Sequence, residues 1–333
     1  MLKKVILITG SNGEIGQSLI KTLNKKKIYN IIALDLNKPI QTHKIENFIK
    51  GSILNKQLLK KINNEYHLLA VYHLAAILST KAEQNPDLAK EVNIQGTSNL
   101  LNLTFNNSIQ QKIIIPFFFP SSIAVYNVTE NKGMVVNEIE NIDKPLTVYG
   151  QSKLECEREG YRYMRKNRGN IGINFRSIRF PGIISATSLP TGGTSDYVPE
   201  MIHHAAKQLR YNCFIKKNSK LPFIVMPDAI KGIFDLMNAP KENLCNHAYN
   251  ISAFSCSTNQ FFLKILEYYP NFEMNYKINN FRQIIVDSWP NDIDNKRAKK
   301  DWDWKPKYNF NQAYKEYIIP QIRKKYNMKI INE

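Results

Sequence analysis

Four consecutive apolar residues, Val5-Ile6-Leu7-Ile8, run straight into Thr9-Gly10-Ser11-Asn12-Gly13-Glu14-Ile15-Gly16, and an amphipathic stretch through Ile20 and Leu23 follows. A short β-branched run without polar alternation suits a strand covered on both faces, as in parallel sheets. Glycines at 10, 13 and 16 permit a tight turn, close approach of backbone to a bound group, and close packing of helix on strand. A helix that starts there turns its N–H groups toward an anion. The next apolar run, Ile31-Ile32-Ala33-Leu34, closes on Asp35. An acid about 20 residues past the glycines suits hydrogen bonds to ribose hydroxyls and repels a 2′-phosphate. The pattern predicts a dinucleotide site, with NAD favoured over NADP.

Strand and helix patterns continue to alternate. Leu68 to Leu74 forms a buried strand leading into Ala75-Ala76-Ile77-Leu78-Ser79, where small residues leave room for a ligand at a strand end. Asn85-Pro86-Asp87 opens a helix on which Asn93 is a lone polar residue beside Val92, Leu100, Leu101 and Leu103. Ile113 to Phe119 is the next strand and delivers Pro120-Ser121-Ser122, although Pro116 is awkward in a central strand. Ile171 to Phe180 supplies a sixth strand, Asp228 to Met237 a helix, and His247 to Ile251 a strand returning to the sheet. The expected fold is α/β, a doubly wound parallel sheet with a smaller C-terminal substrate lobe. Residues 1–180 form the dinucleotide-binding domain, with 228–252 returning to its sheet, and 181–227 and 253–325 form the lobe.

Between the fifth and sixth strands lies Thr147-Val148-Tyr149-Gly150-Gln151-Ser152-Lys153. Tyrosine and lysine four apart share one helix face, so the ammonium can act on the phenol. A phenol titrates near ~10, and a nearby cation favours its ionised form. Tyr149 then becomes a base for an alcohol proton, and Ser122 can hydrogen-bond the same oxygen. Alone the pair means little; beside a dinucleotide site it predicts hydride chemistry. The polar run Leu189 to Tyr197, after the sixth strand, is placed to fold over a substrate.

Composition narrows the alternatives. With 43% hydrophobic and 22% charged residues the chain is typical of a globular protein, and no apolar run nears the ~18 residues that span a bilayer. Met1-Leu2-Lys3-Lys4 enters the first strand directly, so the expected compartment is the cytoplasm and no membrane is expected as a partner. The net charge of +18 comes from scattered lysines, so nucleic acid is not expected as a partner. Cys156, Cys213, Cys245 and Cys256 form no CxxC, and adjacent His203 and His204 point apart on a helix, so no metal site is expected.

With these residues in hand, the chain resembles the extended short-chain dehydrogenase/reductases, the NAD-dependent epimerase/dehydratase group. Within it the likeness is strongest to the branch that oxidises L-threonine at the 3-hydroxyl. It is carried by His73 to Ser79, Pro120 to Tyr126, Arg179 to Ser185, Gly192 to Tyr197, Met226 to Ile230 and Asp287 to Pro290. The resemblance implies NAD contacts at Gly10, Gly13, Glu14, Ile15, Asp35, Leu36, Ser52, Ile53, Leu74, Ala75, Ala76, Asn93, Tyr149, Lys153, Phe180 and Ile183. It implies substrate contacts at Ser79, Ser122, Tyr149, Thr194 and Asp196, catalysis by Tyr149, Lys153 and Ser122, and a homodimer through helices around 90–105 and 150–165. The chain departs from the family pattern at Ser52, where an adenine-binding aspartate is usual, at Asn127 in place of a glycine, and at Phe180 in place of a tyrosine. A nucleotide-sugar epimerase or dehydratase on the same scaffold is the alternative. A non-catalytic NAD sensor has no need of the intact Ser122, Tyr149 and Lys153.

Overall fold

The structure is a computed structural model that describes residues 2–39, 43–129, 135–140, 142, 144–190 and 192–327. Met1 and Thr191, which belong to two of the stretches read above, lie outside the described residues. Seven strands form one sheet in the order Ala248–Asn250, Gly172–Phe180, Ile114–Ser122, Tyr66–His73, Lys3–Thr9, Ile31–Asp35, Asn47–Lys50. All neighbours pair in parallel. Parallel pairing forces every connection to cross a face of the sheet, and helices do the crossing except between Ile31–Asp35 and Asn47–Lys50, where the described residues hold none.

Continuous apolar runs are explained by what lies on each face. Val5 and Leu7 pack into a core with Leu100, Leu101 and Ile62, while Ile8 joins the opposite core with Leu19, Leu23 and Ile233. In the fifth strand Phe117 and Phe119 face the first of these cores and Phe118 the second. Side chains alternate faces with period two, so a strand covered twice needs no polar positions. Pro116 is accommodated because pairing with Tyr66–His73 begins only at Val71 and Phe117, leaving the residue without an N–H outside that ladder.

A second sheet of three strands, Phe254–Ser257, Lys220–Val225 and Gly182–Ile184, leaves the main sheet just after Phe180. It belongs to a third core that gathers Tyr197, Phe223, Phe261 and Tyr314 with Ile123, Val125 and Tyr126 from the end of the fifth strand. The packing therefore joins the turn after Ser122 to the C-terminal residues. Trp289, Trp302 and Trp304 are buried as packing anchors.

Candidate active site

Because the strands run in parallel, Thr9, Asp35, His73, Ser122 and Phe180 all end at one edge of the sheet. Gly10 has φ +67, and a Cβ there would sit 2.5 Å from the backbone nitrogen of Ala75, so only glycine lets the turn rest on Leu74-Ala75. Gly13 caps the Glu14–Lys25 helix with no side-chain hydrogen bond, leaving first-turn N–H groups uncovered by any side chain among the described residues. Asp35 ties this loop to its own strand. Its carboxylate accepts from the Asn12 N–H at 2.9 Å and the Asn37 N–H at 3.2 Å, and Leu36 beside it is exposed. Ser52 Oγ accepts from the Leu54 N–H at 3.1 Å, and Ile53 is buried against Gly96.

The wall opposite the glycine turn is fixed by buried polar bonds. His73 Nδ1 lies 2.8 Å from Thr9 Oγ1 and Nε2 lies 2.9 Å from Thr97 Oγ1. Thr97 gives its own proton to the Asn93 carbonyl at 2.5 Å, so the ring donates from Nε2 and accepts at Nδ1. Burial drops the His73 pKa to about 3, so it stays neutral. Asn93 stands in a π-turn, Glu91–Gln95. Its amide oxygen accepts from the Ile77 N–H at 2.8 Å, and its NH2 donates to the Ile77 carbonyl at 3.1 Å and Ser152 Oγ at 3.2 Å. Those bonds engage the amide with protein: Asn93 holds the Ala75-Ala76-Ile77 segment and the Tyr149 helix together.

Tyr149 and Lys153 lie on the Val148–Met164 helix, which Thr147 caps by accepting from the Gly150 N–H at 2.9 Å. A Cβ on Gly150 would collide with the Ala124 carbonyl, so glycine brings this helix against the turn that follows Ser122. There Ser122 Oγ accepts from the Ala124 N–H at 3.2 Å, and its hydroxyl acts on the Tyr149 phenol. The phenol differs from the expectation in its electrostatics. Burial pushes it up to about 12, opposed by the Ser122 hydroxyl. Lys153 does not offset this, because its ammonium donates to the Pro120 carbonyl at 2.7 Å and lies 4.6 Å above the Phe119 ring, against 5.6 Å for the Tyr149 ring. Lys153 is itself buried, which lowers its pKa to about 8, opposed by Cys156 and by Glu157 one turn on. Glu157 is held in a bidentate pair by Arg179, at 3.0 and 2.7 Å.

Ser79 and Thr194 are bonded to each other. Ser79 Oγ accepts from the Thr194 N–H and hydroxyl, both at 3.1 Å. Asp196 Oδ2 accepts from the Gly192 and Gly193 N–H groups at 2.9 and 2.7 Å, with Gly192 at φ +99. Glu14 links the two halves. Its carboxyl feels Ser188 and Asp196, and burial lifts its pKa to about 7. Phe180 is buried and Ile183 half-buried at the turn between the sheets. Sequence reasoning missed Gly150 as the docking point, Ser188, and Glu83, whose carboxylate accepts from the Tyr149 N–H at 3.0 Å. Thr147 carried a readable cap signal; the others carried none, because their partners come from distant segments. Among the described residues no cluster of side chains suits a metal, and no helix is long and apolar enough to cross a membrane.

The model of the NAD dependent epimerase/dehydratase family matches residues 6–252. The chain belongs to that family. A relative from Bos taurus, a mitochondrial L-threonine 3-dehydrogenase, is 35% identical over 303 residues, covering 90% of this chain and 78% of that protein. Among solved structures, a monomeric L-threonine 3-dehydrogenase from a metagenome is 37% identical with a TM-score of 0.87, covering 96% of this chain and 100% of that one. A UDP-glucose 4-epimerase from Thermotoga maritima, 21% identical over 96% of this chain and 98% of its own, has a TM-score of 0.80 and shares the fold. NAD is the family's cofactor, and the cleft fits it. The uncapped helix start suits a pyrophosphate, and Ser11 Oγ is buried beside it with no partner among the described residues.

Proposed function

We propose that this member of the family oxidises L-threonine at its 3-hydroxyl with NAD, giving 2-amino-3-oxobutanoate on the way to glycine or aminoacetone. The observation that carries the reading is the Ser122 hydroxyl at the end of its strand acting on the buried Tyr149 phenol, with Lys153 one turn along the same helix. The L-threonine dehydrogenases among its relatives support the choice of substrate, and the nucleotide-sugar alternative, which rests on the family's breadth and the shared fold, is less supported.

In this reading Gly10, Gly13, Glu14 and Ile15 hold the pyrophosphate, Asp35 and Leu36 the adenosine ribose, and Ser52 and Ile53 the adenine. Leu74, Ala75, Ala76, Phe180 and Ile183 flank the nicotinamide end, with Asn93 acting through Ile77. Bound NAD supplies the acceptor for the hydride that leaves the substrate's Cβ. Tyr149 takes the hydroxyl proton while Ser122 hydrogen-bonds the same oxygen. A phenol near 12 is a poor base at neutral pH, so ligand binding has to bring it down. Lys153, whose ammonium lies 5.6 Å from the Tyr149 ring centroid, is the cation available to do so. Ser79, Thr194 and Asp196 orient the amino acid and exclude water.

Residues 1–180 with 228–252 carry NAD in this proposal, and 181–227 with 253–325 carry the substrate. The assembly is a homodimer through the helices around 90–105 and 150–165. Their surface bears the pairs Arg162–Glu155 and Arg162–Glu159, so the contact is polar and salt-sensitive. Four free thiols suit a reducing compartment, the cytoplasm in this reading. The deciding experiment follows NADH formation with L-threonine, D-threonine, L-allo-threonine and L-serine. NADH from L-threonine is the expected result, and none from any of the four refutes the proposal.

A further inference from the structure

Every helix begins with N–H groups that its own turns leave unpaired. In the helix that carries the phenol, Thr147 answers the Gly150 N–H, a local cap. The Tyr149 N–H is answered from 66 positions away, by Glu83 Oε1 at 3.0 Å. Glu83 is half-buried and, among the described residues, makes no ion pair. Its carboxylate is spent on one backbone amide, a charge-assisted bond that also suits the positive end of the helix dipole.

The other end of the Glu83 helix matters as much. Glu83 lies on Ser79–Gln84, and the first residue of that helix is the Ser79 whose hydroxyl accepts both donors of Thr194. One short, stiff segment is thus fastened at its start to the loop proposed to grip the amino acid and near its end to the residue carrying the proposed base. The span between the Ser79–Thr194 pair and the phenol is set through this segment. We propose that Glu83 is a positioning residue that fixes the Tyr149 phenol relative to the Ser79–Thr194 hydroxyls, so that a substrate held on one side meets the base on the other. This rests on the threonine-oxidising reading of the site.

The test compares Glu83→Ala with Glu83→Gln in the full chain. Glutamine keeps an acceptor oxygen and loses the charge; alanine loses both. Misplacing a reacting group by about an ångström costs up to about a hundredfold, so kcat/KM for L-threonine should fall roughly ten- to a hundredfold in the alanine variant. NAD affinity should be unchanged, and the glutamine variant should recover most of the activity. Deuterium uptake by the peptide spanning residues 147–153 should rise for alanine and stay near wild type for glutamine. Wild-type kcat/KM in Glu83→Ala, an equal loss in both variants, or unchanged uptake each overturns the proposal. If the wild-type protein makes no NADH from L-threonine, the functional reading fails on its own, and the uptake comparison still decides whether Glu83 holds the helix.

Discussion

Ser122 is fixed at a strand end by the Ala124 N–H and Lys153 reaches Pro120 from a helix turn, so regular structure holds the proton-transfer corner in place before any ligand arrives. The loop residues 185–190 and 192–196 are held by other means. Asp196 gathers the Gly192 and Gly193 N–H groups, Ser188 Oγ donates to Ser185 Oγ at 2.6 Å, and Lys325 Nζ donates to the Thr187 carbonyl at 2.6 Å. The corner depends on burial and helix docking, and the loop on a few polar bonds. Removing a group from the corner should therefore change chemistry and leave shape intact, while removing one from the loop should change shape and, through it, substrate binding.

The largest test of that contrast is Tyr149→Phe. The ring stays and only the hydroxyl goes, so folding and NAD binding should survive while kcat falls roughly a thousandfold. A Tyr149→Phe protein with a much lower Tm, or one turning over near the wild-type rate, breaks the account of the corner. Asp196→Ala probes the other side. It deletes the acceptor of two backbone N–H groups, and hydrogen bonds to charged groups are worth about 1.5–3 kcal/mol, so KM for L-threonine should rise about tenfold or more. If instead kcat falls while KM holds, Asp196 acts on the chemistry and the contrast is wrong.

The same division explains what the amino-acid order made legible. Strands were readable because a segment buried on both faces must be apolar throughout, as Val5 to Ile8 and Phe117 to Phe119 are. Tyr149 and Lys153 were readable because a spacing of four is a local property of a helix. What the ammonium of Lys153 does was not: its choice of the Pro120 carbonyl over the phenol depends on how a strand 33 positions away ends. The bonds that Asn93 makes were not legible either, since a lone amide on a helix gives no sign that Ile77 and Ser152 will occupy it. Glu83 and Gly150 act through contacts made only when separate segments dock, which no periodicity records.

Glu14 is where corner and loop meet, and it gives the smallest and most specific test. Its carboxyl has an ordinary value of 4.5 and is raised to about 7 in the folded protein, chiefly by burial, with Asp196 adding to the rise and Ser188 opposing it. Tyr317 also faces it, and His203 and Lys325 bond the backbone of Ser188 and Thr187 beyond. A carboxyl with a raised folded value favours the folded state while protonated. That contribution is intact below the unfolded value of 4.5, is lost progressively as pH rises toward 7, and stays lost above it. Glutamine is neutral throughout and carries no such loss. Glu14→Gln should therefore raise Tm by about a few degrees or less near pH 8, with the gain shrinking toward zero near pH 5, as scanning calorimetry at both values would record. A gain of the same size at both pH values would mean that the loop meets Glu14 as a neutral hydrogen-bonding group, and that no buried charge separates the two regions.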